Sequence, residues 1–285
     1  MSAAGAARPG SALTVGAAAL FPAPRLARPA AAAASLPQLF QPAADPEKPA
    51  DILLVDGVDP SWPQALGRAL DTPVRGVLLC APTVVPTAEA QALAARAGEA
   101  GRPVVVATPF PYDAAARDAL SRYGPTDSPT LIDSVVTIRD DGDGRPARSL
   151  LGVAFLAQLA AIATITGPVP VLTMNLDTEH AYSATGTRDG LTVVLAGLVS
   201  SLPAPSLRID LLGAHRRHTI RLADPGPSTV VSYGPLGMSG MPPSYQGGLR
   251  NAWRNLHAAV TAAEPVRFGL RELAAVLASA PPWSR

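Results

Sequence analysis

Apolar and polar positions follow more than one rhythm along this 285-residue chain, and each rhythm predicts a different kind of element. Gly76-Val77-Leu78-Leu79-Cys80 is an unbroken apolar run, as expected of a strand buried on both faces. Ala81-Pro82-Thr83 breaks it, and Thr87 to Ala100 follows with Ala, Glu, Gln and Leu, all good helix formers. Thr87 is placed to cap that helix, and Gly101 with Pro103 close it. Val104-Val105-Val106 is a second buried run, ended by Thr108-Pro109. Strand, helix and strand in so short a span make a βαβ crossover, so the sheet is parallel and the crossover right-handed. Upstream, Asp51-Ile52-Leu53-Leu54-Val55-Asp56 predicts a strand ending in an acid, and Trp62 to Leu70 a short helix. Leu13 to Leu20 fits a first strand in which Gly16 opens a turn, residues 25–50 read as one poor helix plus loop, and residues 1–10 as a loose tail.

After Pro111 the pattern changes. Ala114 to Tyr123 is helical and Ser128 to Arg139 mostly extended. Asp140-Asp141-Gly142-Asp143-Gly144 is a turn whose acids lack the spacing and downstream Glu of an EF-hand, which leaves a solvated hairpin turn. Ser149 to Thr166 is a nearly uncharged apolar helix, hence one buried on most sides. Alternating strands follow at Val169 to Leu176, Leu191 to Ser200, Leu207 to Leu212, His218 to Leu222 and Thr229 to Tyr233, separated by Gly/Pro turns as in an antiparallel sheet. Gly247 to Ala263 and Leu270 to Ala278 are closing helices. The predicted architecture is α/β plus α+β. A Rossmann-like parallel unit occupies residues 11–125, and a unit with a mainly antiparallel open sheet occupies 126–285.

Composition narrows the function classes. With 48% hydrophobic and 16% charged residues the chain is folded and globular. A net charge of +1 gives no electrostatic reason to expect nucleic acid or anionic membrane as a partner, and no run suggests a membrane span. The single cysteine, Cys80, excludes an internal disulfide and reads as an inert buried thiol. Arg8 followed by the apolar stretch from Ser11 to Phe21 fits a weak signal peptide or a first buried strand, and the strand reading makes the cytoplasm the expected location. Lys48 is the only lysine, which limits any chemistry that needs an amine.

The stretch from Gly76 to Pro111 resembles the second half of the nucleotide-binding domain of the glucose–fructose oxidoreductase and inositol dehydrogenase (Gfo/Idh/MocA) family. That family runs strand, TP-x-x-x-H, an Ala-rich helix, then A-G-K-x-V-x-x-E-K-P. Cys80-Ala81-Pro82 stands for the first proline turn, and Ala100-Gly101-Arg102-Pro103 through Thr108-Pro109 for the second. Asp189-Gly190-Leu191 and Leu212-Gly213-Ala214 also fall where the family has its turn and strand-end motifs, so the resemblance covers about residues 75–279. It implies NAD(P)-dependent hydride transfer by a Lys from E-K-P and by an Asp and a His four apart on one helix face. In this register the family's Glu-Lys falls on Ala107-Thr108, its TP-x-x-x-H histidine near Pro86, its Asp on Val153 and its second His on Ala157. None of Thr108, Val153 and Ala157 titrates near neutral pH, as proton transfer to or from an alcohol requires.

Cofactor signals are similarly thin. A dinucleotide turn wants G-x-G-x-x-G, and Gly16-Ala17-Ala18-Ala19-Leu20-Phe21 offers only the first glycine, with Pro22 and Pro24 after it. If NAD(P) binds, Gly16, Asp56, Ala81, Pro82 and Thr108 are the candidate contacts, Asp56 as a ribose acid or else as a turn aspartate. The expectation is no cofactor or weak NAD(P), and no metal. Substitute acid–base candidates are His180 and Tyr182, with Asp177 and Glu179 beside them, or else these form an exposed polar strand end. His215 and His218 read as a solvated basic turn, and the Met- and Gly-rich loop from Tyr233 to Gly248 as a ligand lid, a partner surface or a linker. The expected function is a divergent family member, repurposed or accessory in a small-molecule pathway, that associates with itself or with an active paralogue through the second sheet. The alternatives are an NAD(P)-dependent reductase with non-standard residues, and a non-redox cyclase or isomerase.

Overall fold

The structure, a computed structural model, describes residues 12–17, 26–43, 50–108, 110–114, 128–140, 145–201, 206–223, 226–241, 243, 247–281 and 283. Two sheets organise them. The first is parallel, with strand order β2-β1-β3-β4-β5 from β1 (Leu13–Ala17), β2 (Phe40–Pro42), β3 (Ile52–Asp56), β4 (Gly76–Cys80) and β5 (Val104–Ala107). Its helices are α1 (Ala27–Ala34), α2 (Trp62–Asp71) and α3 (Thr87–Glu99). Every residue of β4 and β5 is buried, as the unbroken apolar runs require. Two expectations change here. The first strand runs through Gly16 to Ala17, where a Cβ would meet that of Ala50 at 2.9 Å, so this glycine serves a close approach inside the strand. The segment 25–50 contains a strand, β2, too short to show a period. The turn following β1, the remainder of the helix predicted from Ala114, and residues 141–144 lie outside the described residues.

The second sheet has eight strands in the order β13-β12-β11-β10-β6-β9-β8-β7. They are β6 (Leu131–Arg139), β7 (Thr173–Asp177), β8 (Ala181–Arg188), β9 (Leu191–Ser200), β10 (Ser206–Leu212), β11 (Arg217–Ala223), β12 (Thr229–Gly234) and β13 (Gly237–Gly240). All neighbours are antiparallel except β6 and β9. β8 and β13 go beyond the predicted strands, because β8 is mostly Ser, Thr, Gly and Ala and β13 is exposed throughout. Along β9, Val193, Leu195, Gly197 and Val199 are buried while alternate residues are not, so one face is core and the other is an open face.

A helix α4 (Ala147–Thr166) covers the core face, packing on β6 and β9. Its 20 residues are rich in Ala and Leu, Pro146 precedes it, and it stops at Gly167, whose φ of 83° a residue with a Cβ adopts only at a cost. By length and composition α4 is apolar enough to cross a membrane, contrary to the expectation that no segment is; 78% of that window is buried inside the protein. Helices α5 (Gly248–Ala262) and α6 (Leu270–Ala278) return to the parallel sheet, α5 against β5, β4 and α1, and α6 against α3, β5 and α4. Trp253 of α5 donates from Nε1 to the Pro29 carbonyl at 2.9 Å and packs at a tilt against Phe40, which ties the end of the chain to its beginning.

Candidate functional site

In an open parallel sheet the ligand crevice lies outside the carboxyl ends of the strands, where the strand order reverses. Here that point lies between β1 and β3, because β2 lies on one side of β1 and β3 on the other. β3 ends in Asp56, 2% exposed, whose Oδ1 accepts a hydrogen bond from Val58 N at 3.1 Å. The carboxylate therefore braces its own turn. The next turn is stitched to it: Gly57 N donates to Cys80 O (2.7 Å) and Thr83 N donates to Gly57 O (2.8 Å). A Cβ on Gly57 would lie 2.5 Å from Pro82 Cα, so only glycine allows this approach. Between the two bonds Ala81 takes a left-handed conformation with φ of 47°, which costs a residue with a Cβ about 1–2 kcal/mol. Trp62 Nε1 donates to Thr83 O at 3.2 Å, so α2 locks the arrangement.

The strand order offers a second register for the sequence resemblance. The usual doubly wound order is 3-2-1-4-5-6. Among the described residues this sheet reads as 2-1-4-5-6, without a third strand, so that its second half begins at β3 and not at β4. The strand–helix–strand that carries the family's two motifs is then β3–α2–β4. In that register the E-K-P turn would fall on Cys80-Ala81-Pro82, with Ala81 at the lysine position, and the preceding turn on Gly57-Val58-Asp59-Pro60. Thr108 instead follows β5, the edge strand on the far side. It is 1% exposed, and its Oγ1 has no hydrogen-bond partner among the described residues. The placement of α4 agrees. Thr83 Oγ1 donates to Ser149 O at 3.4 Å, and a Cβ on Gly152 would overlap Thr83 Oγ1. The first turns of α4, at Ser149 and Gly152, thus meet the turn that follows β4. Val153 and Ala157 are 3% and 1% exposed.

The other sequence candidates separate. Asp56 is not on the strand that follows the first strand and helix, where a ribose acid belongs; that strand is β2, which ends in Gln41-Pro42. His180 is exposed in the turn between β7 and β8. Asp177 is engaged by Arg148, whose Nη2 donates to Asp177 Oδ2 at 2.7 Å. Tyr182, expected at an exposed strand end, is 1% exposed on the core face. Its hydroxyl donates to Gln158 Oε1 at 2.7 Å, while Gln158 Nε2 donates to Ser134 Oγ at 2.8 Å. Burial pushes the Tyr182 pKa well above its ordinary value, so it remains protonated at neutral pH. His218, expected in a solvated turn, is 2% exposed with Nδ1 2.8 Å from Ser232 Oγ across the β11–β12 ladder. Burial, and secondarily the charge of Asp56, push the Cys80 thiol up and make it inert. No group of three His, Cys, Asp or Glu with metal-binding geometry occurs among the described residues. Thr83, Gly57 and Gly152 were not singled out in the sequence, and only their positions beside motif turns marked them.

No protein-family model matches the chain, and no curated protein matches it. Solved structures do. UDP-N-acetylglucosamine 3-dehydrogenase GnnA from Acidithiobacillus ferrooxidans superposes with a TM-score of 0.72 at 17% identity, covering 94% of this chain and 95% of that one. A 3-ketoreductase from Actinomadura kijaniata, solved with TDP-benzene and NADP, gives 0.68 at 16%, covering 96% and 98%. Biliverdin reductase from Synechocystis sp. PCC 6803, solved with biliverdin and NADP+, gives 0.64 at 15%, covering 93% and 95%. The chain has the two-unit fold of the Gfo/Idh/MocA-type oxidoreductases, and the likeness includes the residues before 75 where the sequence resemblance was thin.

Proposed function

We propose that this chain is a divergent Gfo/Idh/MocA-type protein that retains the scaffold without the hydride-transfer residues, and that it serves a small-molecule pathway as a repurposed or accessory protein. The observation that carries the reading is the contact of α4, through Ser149 and Gly152, with Thr83 in the turn after β4. Set on the family pattern, Ala81, Val153 and Ala157 take the hydride-transfer positions beside this contact, and none of the three can exchange a proton. A ligand in this crevice would meet backbone groups, methyls and the Thr83 hydroxyl. The open face of the second sheet is the surface we assign to association with a second copy or an active paralogue, since the half-buried Val135, Val194 and Ala196 and the exposed Leu198 share that face.

Titration of the purified protein with NADH and NADPH by fluorescence or calorimetry tests the reading. Neither should bind with useful affinity. A dissociation constant in the low micromolar range or tighter would overturn it in favour of a second reading, a nicotinamide-dependent reductase using other residues. That second reading draws on the two reductases of this fold that were solved with NADP or NADP+.

A further inference from the structure

A cavity of about 430 Å³ lies at the opposite end of α4 from the crevice, between the last turn of α4, the turn entering α6, and α6 itself. Thr164 on its wall is 15 residues from Ser149, or about 22 Å along a helix rising 1.5 Å per residue. The volume is that of a small-molecule site. Ala163, Val169, Phe268 and Val276 supply an apolar wall.

The polar groups of the lining decide what it takes. The Thr164 hydroxyl donates to Ala160 O (2.7 Å), and that of Ser279 to Val169 O (2.9 Å). Glu272 Oε2 accepts from Gly269 N at 2.8 Å, closing the capping box of α6, so its charge is turned towards that helix terminus. Arg267 differs. Its backbone N donates to Asn255 Oδ1 at 3.0 Å, and its exposed side chain has no hydrogen-bond or ion-pair partner among the described residues. An apolar hollow with one uncommitted, planar, bidentate donor at its edge suits a ligand with an apolar body and a carboxylate.

We propose that this cavity is a binding site for small amphipathic carboxylates, with Arg267 as the anion contact and the Val169–Phe268–Val276 wall as the apolar contact. It is separate from the crevice and independent of the chemistry assigned there. The test is titration of the full-length protein with benzoate and octanoate by calorimetry, with benzyl alcohol and benzylamine as neutral and cationic controls of the same body. Saturable binding of a carboxylate, weakened about 10–100-fold by Arg267→Gln and abolished by the space-filling Ala163→Phe, is the expected result. Circular dichroism on both variants separates lost binding from lost folding. No saturable binding of either acid, or binding that Arg267→Gln leaves unchanged, overturns the proposal. So does preference for benzylamine that Glu272→Gln removes, since that would mean a cation site.

Discussion

Removing the hydroxyl of Tyr182 should weaken the fold and leave any chemistry untouched. Tyr182→Phe keeps the ring, which lies over Gly197 and makes edge contacts with Phe155 (5.1 Å) and Trp283 (5.7 Å). What is lost is one donor. Gln158 is 0% exposed, and its Oε1 accepts from Tyr182 at 2.7 Å, so the variant strands a buried carbonyl oxygen. A buried polar group left without its partner costs about 1–3 kcal/mol, about 2–4 °C of Tm per kcal/mol for a chain of this order of size. The double variant Tyr182→Phe/Gln158→Leu removes both partners, and Ser134 Oγ keeps its bond to Arg208 O at 3.1 Å. Its loss should therefore be smaller than the sum of the single losses by about 1 kcal/mol, the coupling that a cycle of variants reports. Urea melts followed by circular dichroism and by tryptophan fluorescence provide all four corners of the cycle. A single-variant effect below about 0.5 kcal/mol, or strict additivity, would refute the network argument. Lost ligand binding or product formation with unchanged stability would instead return Tyr182 to the crevice chemistry.

Four further outcomes follow from the same structure. Gly152→Val should destabilise by about 1–3 kcal/mol, because its side chain has nowhere to go beside Thr83, and Thr83→Ala should recover part of the loss in a thermal melt. Cys80 and Tyr182 both have pKa values raised by burial, so their stabilisation is full below their unfolded values and is lost as pH rises above them. Stability should accordingly decline from about pH 8.5 upward, thiol first, and Cys80→Ala should delay the onset in pH-dependent urea melts. Thr108→Ala should change ligand binding by less than a factor of two, since Thr108 follows the far edge strand and not the turn that meets α4; a hundredfold loss would restore it to the site. Leu198→Arg, on the open face and 41% exposed, should shift the protein towards monomer in light scattering if that face mediates association.

Much of the fold was legible because it is written locally. A strand buried on both faces needs an apolar run such as Gly76 to Cys80, and a strand with one open face needs the alternation of Leu191 to Ser200. Gly167 and Gly190 mark their turns because few other residues adopt positive φ. The resemblance to an oxidoreductase scaffold and the absence of titratable groups at Val153 and Ala157 were visible in the residues alone. Strand order was not. Hydrogen bonding between β1 and β3 joins segments nearly forty residues apart, and nothing in either segment states which partner it takes. That one pairing opens a second register, with Ala81 and not Thr108 at the lysine position, and makes β2, not β3, the strand after the first helix. Burial of a polar residue was equally hidden. A tyrosine in a strand of small polar residues reads as exposed until a glutamine from α4, 24 positions earlier, arrives to accept its proton donor. Local periodicity fixes which face of an element is apolar, whereas the partner that covers that face is chosen by packing across the whole chain.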